Sequence, residues 1–326
     1  MTYNSDVAQS PTPYGDGRPS VLVLTLFSGE AEFDRCRESL ERQSFAAWSL
    51  RVFGHLPNAE AHARLYATIT EEAERYDLFF KLDADMILAD DDVLADLVHV
   101  FQDHEGLDHL VVAVSDWMTD SMIIGAHMFS NRVRWVPQAE TLYVDPDPVF
   151  PGRKLIIASP PRDLILHASN PSALQAFHFG AHRALQASQV YRRLCDARPH
   201  NARLQWQYLD RVWGHFERTG DRRLGLAVMA ADMVFTRQLS ASANEYSDRS
   251  LLTEFGEVSA LDVREIRERL EQRWGTPEAR RRTWREALGP MKYLLVGIRC
   301  LRDATVGVVN KTIGSSQPKV EIGTSA

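Results

Sequence analysis

The sequence predicts an α/β fold: a mostly parallel sheet with helices on both faces, followed by a mainly helical C-terminal portion. Three observations carry this. Strand-like and helix-like stretches alternate as βαβαβαβ over residues 20–115. The first of them, Val21–Phe27, is a continuous apolar run, as a strand buried on both faces should be. From Leu174 onward the chain reads as largely helical.

Residues 1–19 are polar and rich in Pro, Gly and Ser, and are expected to form a disordered leader. Val21–Phe27 is the first strand and Ser28-Gly29-Glu30 the turn after it. Phe33, Cys36 and Leu40 then recur at helical spacing. A second strand is predicted over 48–53, and a helix over 60–75 with Ala63, Tyr66, Ile69 and Ala73 facing inward. A third strand, 78–82, stops at Asp83-Ala84-Asp85. Asp90, Asp91 and Asp92 open another helix, where carboxylates suit free N–H groups and the positive end of the dipole. A fourth strand covers 110–114. Residues 111–166 are otherwise strand-like and irregular, with prolines crowded into 146–161. Helices are then expected over 174–197, 204–218, Arg222–Phe235, 261–274 and Pro277–Leu288. These elements divide the chain into a catalytic domain over 20–190, a helical portion over 191–314 and a disordered tail over 315–326.

Composition narrows the function. Among 326 residues, 44% are hydrophobic and 25% charged, which is ordinary for a globular protein. A formal net charge of -7 excludes a global basic field that would recruit nucleic acid. Three scattered cysteines form neither a disulfide framework nor a C-x-x-C zinc site, so a reducing, cytoplasmic compartment is expected. The N-terminus lacks the cationic start and apolar core of a signal peptide. The apolar stretch 293–309 is broken by Arg299, Arg302 and Asp303 and falls short of a membrane span. Arg280, Arg281, Arg282 and Arg285, followed by apolar residues 291–298, read in two ways: as a peripheral contact with the inner face of a membrane, or as a solvated basic helix face before a packing helix.

The chemistry is concentrated in Asp83-Ala84-Asp85. Two carboxylates bracket a small residue immediately after a buried strand, at the sheet edge where ligands of such folds collect. They are hard oxygen ligands for Mn2+ or Mg2+, ions that bridge to diphosphate oxygens and stabilise a departing nucleoside diphosphate. Other motifs are absent or incomplete. Gly15-Asp16-Gly17 precedes a strand instead of following one, there is no P-loop and no Gly-x-Ser-x-Gly elbow, and Ile87 stands where an EF-hand needs an oxygen. His178 and His182 have zinc-gripping spacing, but Phe179 replaces the glutamate of the zincin pattern.

Asp83-Ala84-Asp85 resembles the D-x-D motif of GT-A (Rossmann-like) glycosyltransferases, and its context resembles the family-two enzymes. The matching pieces, in order, are Val21–Phe27, Glu38-Ser39-Leu40-Glu41-Arg42-Gln43-Ser44, the strand at 48–53, the helix at 60–75 and residues 78–85. The resemblance implies a sugar transferred from a nucleotide-diphosphate donor to a glycan, lipid-linked or protein acceptor, with Mn2+ or Mg2+ as cofactor. It implies that Asp83 meets the nucleotide ribose and metal, that Asp85 binds the metal, and that a downstream histidine adds a further ligand. His167, at the end of a strand-like run and before the turn Ala168-Ser169-Asn170-Pro171-Ser172, reads either as that ligand or as a surface histidine beside a turn. Lys81 either neutralises phosphate charge or pairs with a neighbouring carboxylate. The acidic pair that family members carry after the second strand is missing from Phe53-Gly54-His55-Leu56-Pro57-Asn58; Asn58 is the candidate there for hydrogen bonds to a base. Asp163 and Asp145 are the candidate general bases, drawn from a set with Asp116, Asp120 and Asp147 that are equally good turn residues. Two other readings stand beside this one: a sugar-phosphate nucleotidyltransferase, and an inactive scaffold that binds a partner through its helical portion.

Overall fold

Why Val21–Phe27 forms strand β1 is plain from its burial: Val21, Leu22, Val23 and Leu24 are all at most 2% exposed, so both faces of the strand are covered. The computed structural model describes residues 19–134, 152–188 and 198–298. Strands β2 (Trp48–Gly54) and β3 (Leu78–Lys81) flank β1 in parallel, Val21 lying level with Trp48 and Leu78. Helices α1 (Phe33–Glu41) and α2 (Asn58–Glu71) make the crossovers. Next come β4 (Met86–Leu88), α3 (Val93–Asp103), β5 (Leu107–Asp116), β6 (Ser121–Ser130), β7 (Arg153–Ile157) and β8 (Ile165–His167).

The strands run β2-β1-β3-β6-β5-β8-β4, with β7 also on β5. The sheet is mixed, which corrects the mostly parallel sheet expected from sequence. β6 is antiparallel to both β3 and β5, and β4 is antiparallel to β8. The physical reason is the length of the β5–β6 connection. Residues 117–120 make a tight turn, and so short a link cannot cross over, so β6 must fold straight back.

One side of the sheet is closed by α2, whose Leu65, Tyr66 and Ile69 pack on Leu22, Leu24, Phe79 and Phe129. The buried stripe of α2 is set by Ala61, Leu65, Tyr66 and Ile69; Ala63, expected to face inward, is exposed. Small alanines anchor a helix weakly, and the larger Leu65 decides its rotation. At the start of α3 no Asp side chain caps the first turn. Gln43 does so, its Oε1 accepting from the N–H of Leu94 at 2.8 Å while its Nε2 donates to the Asp90 carbonyl at 2.7 Å.

The chain divides into two compact units, Met1–Ser172 and Ala173–Ala326. The second contains α4 (Ala173–Ser188), α5 (Arg198–Thr219), α6 (Arg222–Phe235), α7 (Arg249–Val258), α8 (Val263–Trp274) and α9 (Pro277–Leu288). Its core is α6, buried almost all round, and an aromatic cluster of Trp206, Trp213, Phe235, Trp274 and Trp284. α4 lies against α6 with no room to spare: a Cβ on Gly180 would meet the Ala227 carbonyl oxygen at 1.8 Å. The division at Ser172 therefore gives α4 to the helical unit, ahead of the boundary at 190 drawn from sequence. Among the described residues no helix is long and apolar enough to cross a membrane.

Candidate active site

β1, β2, β3, β5 and β8 all point the same way, since β3 and β5 are each antiparallel to the β6 between them. Their carboxyl ends form one edge, and the residues just past those ends gather there: Glu30 after β1, Asn58 after β2, Asp83 and Asp85 after β3, Asp116 closing β5 and His167 closing β8. The backbone fixes the motif. After β3 the chain stays beside β1, Leu82 N–H donating to the Leu24 carbonyl at 3.1 Å and Ala84 N–H to the Leu26 carbonyl at 3.3 Å. Asp85 is then held against β8, its carbonyl accepting from Ala168 N–H at 2.9 Å. Ala168 adopts φ of 49°, a left-handed conformation that costs a non-glycine residue about 1 kcal/mol.

Lys81, only 4% exposed, donates from Nζ to Oδ2 of Asp83 at 2.8 Å. The other oxygen of Asp83, Oδ1, is buried and has no hydrogen-bond partner. His167 lies between two carboxylates: Nδ1 contacts Oδ1 of Asp116 at 2.7 Å, and Nε2 contacts Oδ2 of Asp85 at 3.3 Å. Burial would lower the His167 pKa, but the charge of Asp85 and the bond to Asp116 override it and push the imidazole up to about 10. The counterpart holds for Asp85. Burial pulls upward, yet the charge and hydrogen bond of His167 prevail and leave its carboxyl below the usual range. Asp116 is wholly buried, and its second oxygen accepts from the N–H (2.8 Å) and hydroxyl (2.6 Å) of Thr119. Glu30, braced by the Ser28 N–H at 2.7 Å, is pushed up to about 7 by burial and then by Asp85, with a smaller contribution from Asp83. Beneath them the buried Cys36 sets its Sγ 3.8 Å from the Asp83 carbonyl, and burial raises its thiol pKa far above the ordinary value.

The predicted residues therefore separate. Asp83, Asp85, Lys81 and His167 come together. Asn58 stands on the same edge as the first residue of α2, its carbonyl contacting Nδ1 of His62 at 2.9 Å. Asp163 is exposed at the opposite end of β8, four residues and about 13 Å of extended chain from His167. The adjacent Arg162 pairs with Asp90 and Asp96 and secures that end near the start of α3. Asp145 and Asp147 lie outside the described residues. Asp116 is no free base, since both of its oxygens are committed. Glu30 was missed as a site residue because it sits in an ordinary-looking turn; its signal was its place one turn past β1, the counterpart of Asp83 past β3. His178 and His182 belong to the other unit, where Nε2 of His178 contacts the Asn244 carbonyl at 2.9 Å and Nδ1 of His182 contacts Asn244 Oδ1 at 2.6 Å.

Among the described residues no group of three or more His, Cys, Asp or Glu side chains forms a ready-made metal cage. The donors present suit a hard divalent cation that takes one or two carboxylates and completes its shell with water and substrate phosphates. Asp83 Oδ1 is a buried acceptor in need of a partner.

Scans of the chain find no matching protein-family model and no matching curated protein. Among solved structures, the chain is similar to a glycosyltransferase involved in the glycosylation of the major capsid of PBCV-1. The identity is 13%, over 47% of this chain and 95% of that one, with a TM-score of 0.29. A likeness this slight assigns nothing.

Proposed function

We propose that this protein is a metal-dependent glycosyltransferase, which moves a sugar from a nucleotide-diphosphate donor to a glycan, lipid-linked or protein acceptor. The observation that carries the reading is the buried, unpartnered Oδ1 of Asp83 beside Asp85, at the carboxyl edge where β1, β3, β5 and β8 end. The D-x-D motif and the order of the strands and helices before it support the same reading. Asp83 and Asp85 would hold Mn2+ or Mg2+, and His167 would become a further ligand once the ion displaced the Nε2 proton that faces Asp85. Such an ion supplies positive charge to the departing diphosphate. The chain's own residues do the rest. Lys81 fixes one oxygen of Asp83 and leaves the other without a partner. Asp116 holds Nδ1 of His167, which orients Nε2 toward Asp85. Asn58, at the edge beyond β2, would meet the base of the nucleotide.

The test is a panel of nucleotide-sugars with Mn2+ or Mg2+, read by release of nucleoside diphosphate. At least one donor is expected to turn over, and EDTA to stop it. The Asp85→Asn variant should lose about 100-fold or more, since it removes a charge that holds the ion. No release from any donor, or unchanged turnover by Asp85→Asn in EDTA, would sink the assignment.

A further inference from the structure

The helical unit ends its described part with an apolar face turned outward. After α9 the chain turns at Gly289 (φ 76°) and is helical again over 290–298. This segment docks through Val296, which is 3% exposed, and through Tyr293, whose ring stands edge-on to Trp284 at 5.5 Å. The opposite face carries Met291 at 69%, Leu294 at 58% and Ile298 at 51% exposure. Their spacing of three and four residues makes one stripe along a helix. Over the described residues these are three of only six large hydrophobic side chains so exposed, and they are the three most concentrated in sequence. Cations neighbour them in sequence. Residues 276–298 hold five Arg and Lys against Glu278 and Glu286, in a chain whose net charge is -7. Arg280 is spent on Asp210, whereas Arg281, Arg282, Arg285 and Lys292 are exposed.

We infer that the helix over 290–298, with the arginines of α9, is a docking surface for an anionic lipid bilayer. An apolar stripe entering the acyl boundary, with cations at headgroup level, is the physical signature of a helix that lies in the interface instead of crossing it. Water alone leaves the stripe without compensation, and the exposed cations next to it in sequence complement anionic headgroups. The inference rests on the helical unit alone and is independent of the reaction.

The test is co-sedimentation of the full chain with vesicles of phosphatidylcholine, with and without phosphatidylglycerol. Binding is expected to be at least ~10-fold stronger to the anionic vesicles and to weaken with salt. The Met291→Asp/Leu294→Asp variant and the Arg281→Glu/Arg282→Glu variant should each reduce it by about tenfold or more, with far-UV circular dichroism unchanged. Leu252→Asp, at an exposed leucine of α7, should bind as the wild type does and serves as the control. Three results would overturn the inference: no binding of the wild type to anionic vesicles, equal binding by Met291→Asp/Leu294→Asp, or a dimer in light scattering that the same variant dissolves while vesicle binding is absent.

Discussion

Asp116 grips one ring nitrogen of His167 and thereby presents the other to Asp85. Replacing it by Asn keeps the shape but substitutes a weaker, neutral partner, so the ring loses its fixed orientation. If the site holds Mn2+ as proposed, Asp116→Asn is expected to lower the affinity about 10–100-fold, seen by calorimetric titration of Mn2+. A second residue-scale prediction concerns two histidines away from the site. Burial, with Lys154 nearby, lowers His109 to about 3; burial, with His182 nearby, lowers His178 to about 3. Both are therefore neutral when folded and take up a proton more readily when unfolded. The stability this provides is intact above about pH 6.5, the unfolded value, and falls as pH drops from there toward 3, by up to about 1.4 kcal/mol per pH unit for each group. Urea midpoints between pH 4 and 7 measure it, and His109→Phe should flatten the slope. The sequence showed Asp83, Asp85 and His167 because each ends an apolar run. Asp116 and Glu30 looked like turn residues, since sequence carries no record of which carboxylates face a neighbour.

Elements whose signals are local were legible. β1, α6 and α9 begin and end where the sequence places them, marked by the turn after Phe27, by the Asp221 cap and by Thr276-Pro277. The antiparallel course of β6 was not, because apolar residues alternate identically in either direction; only the shortness of the turn at 117–120 decides it. Helix packing yields a paired prediction. Gly180→Ala drives a methyl into the Ala227 carbonyl and should cost about 3 kcal/mol by forcing α4 off α6. Gly256→Ala in α7, with nothing within 4 Å of the new methyl, should instead stabilise by about 0.5–1 kcal/mol. Chemical denaturation of the two variants reports both.

At the scale of the whole chain, two units each carry their own core, and the seam falls at Ser172. A fragment that starts at Ala173 should unfold cooperatively with strong helical circular dichroism. One that starts at residue 191 should not, because it lacks α4 and leaves the Ala227 side of α6 bare. In the sheet unit, the sealed thiol of Cys36 offers a clock. Alkylating reagents attack the thiolate, and this one is both hidden and hard to ionise. With Cys195 and Cys300 changed to serine, the rate at which iodoacetamide labels the protein becomes the rate at which the floor under Asp83 lifts. A bound ligand that rests its weight on that floor would slow the ticking.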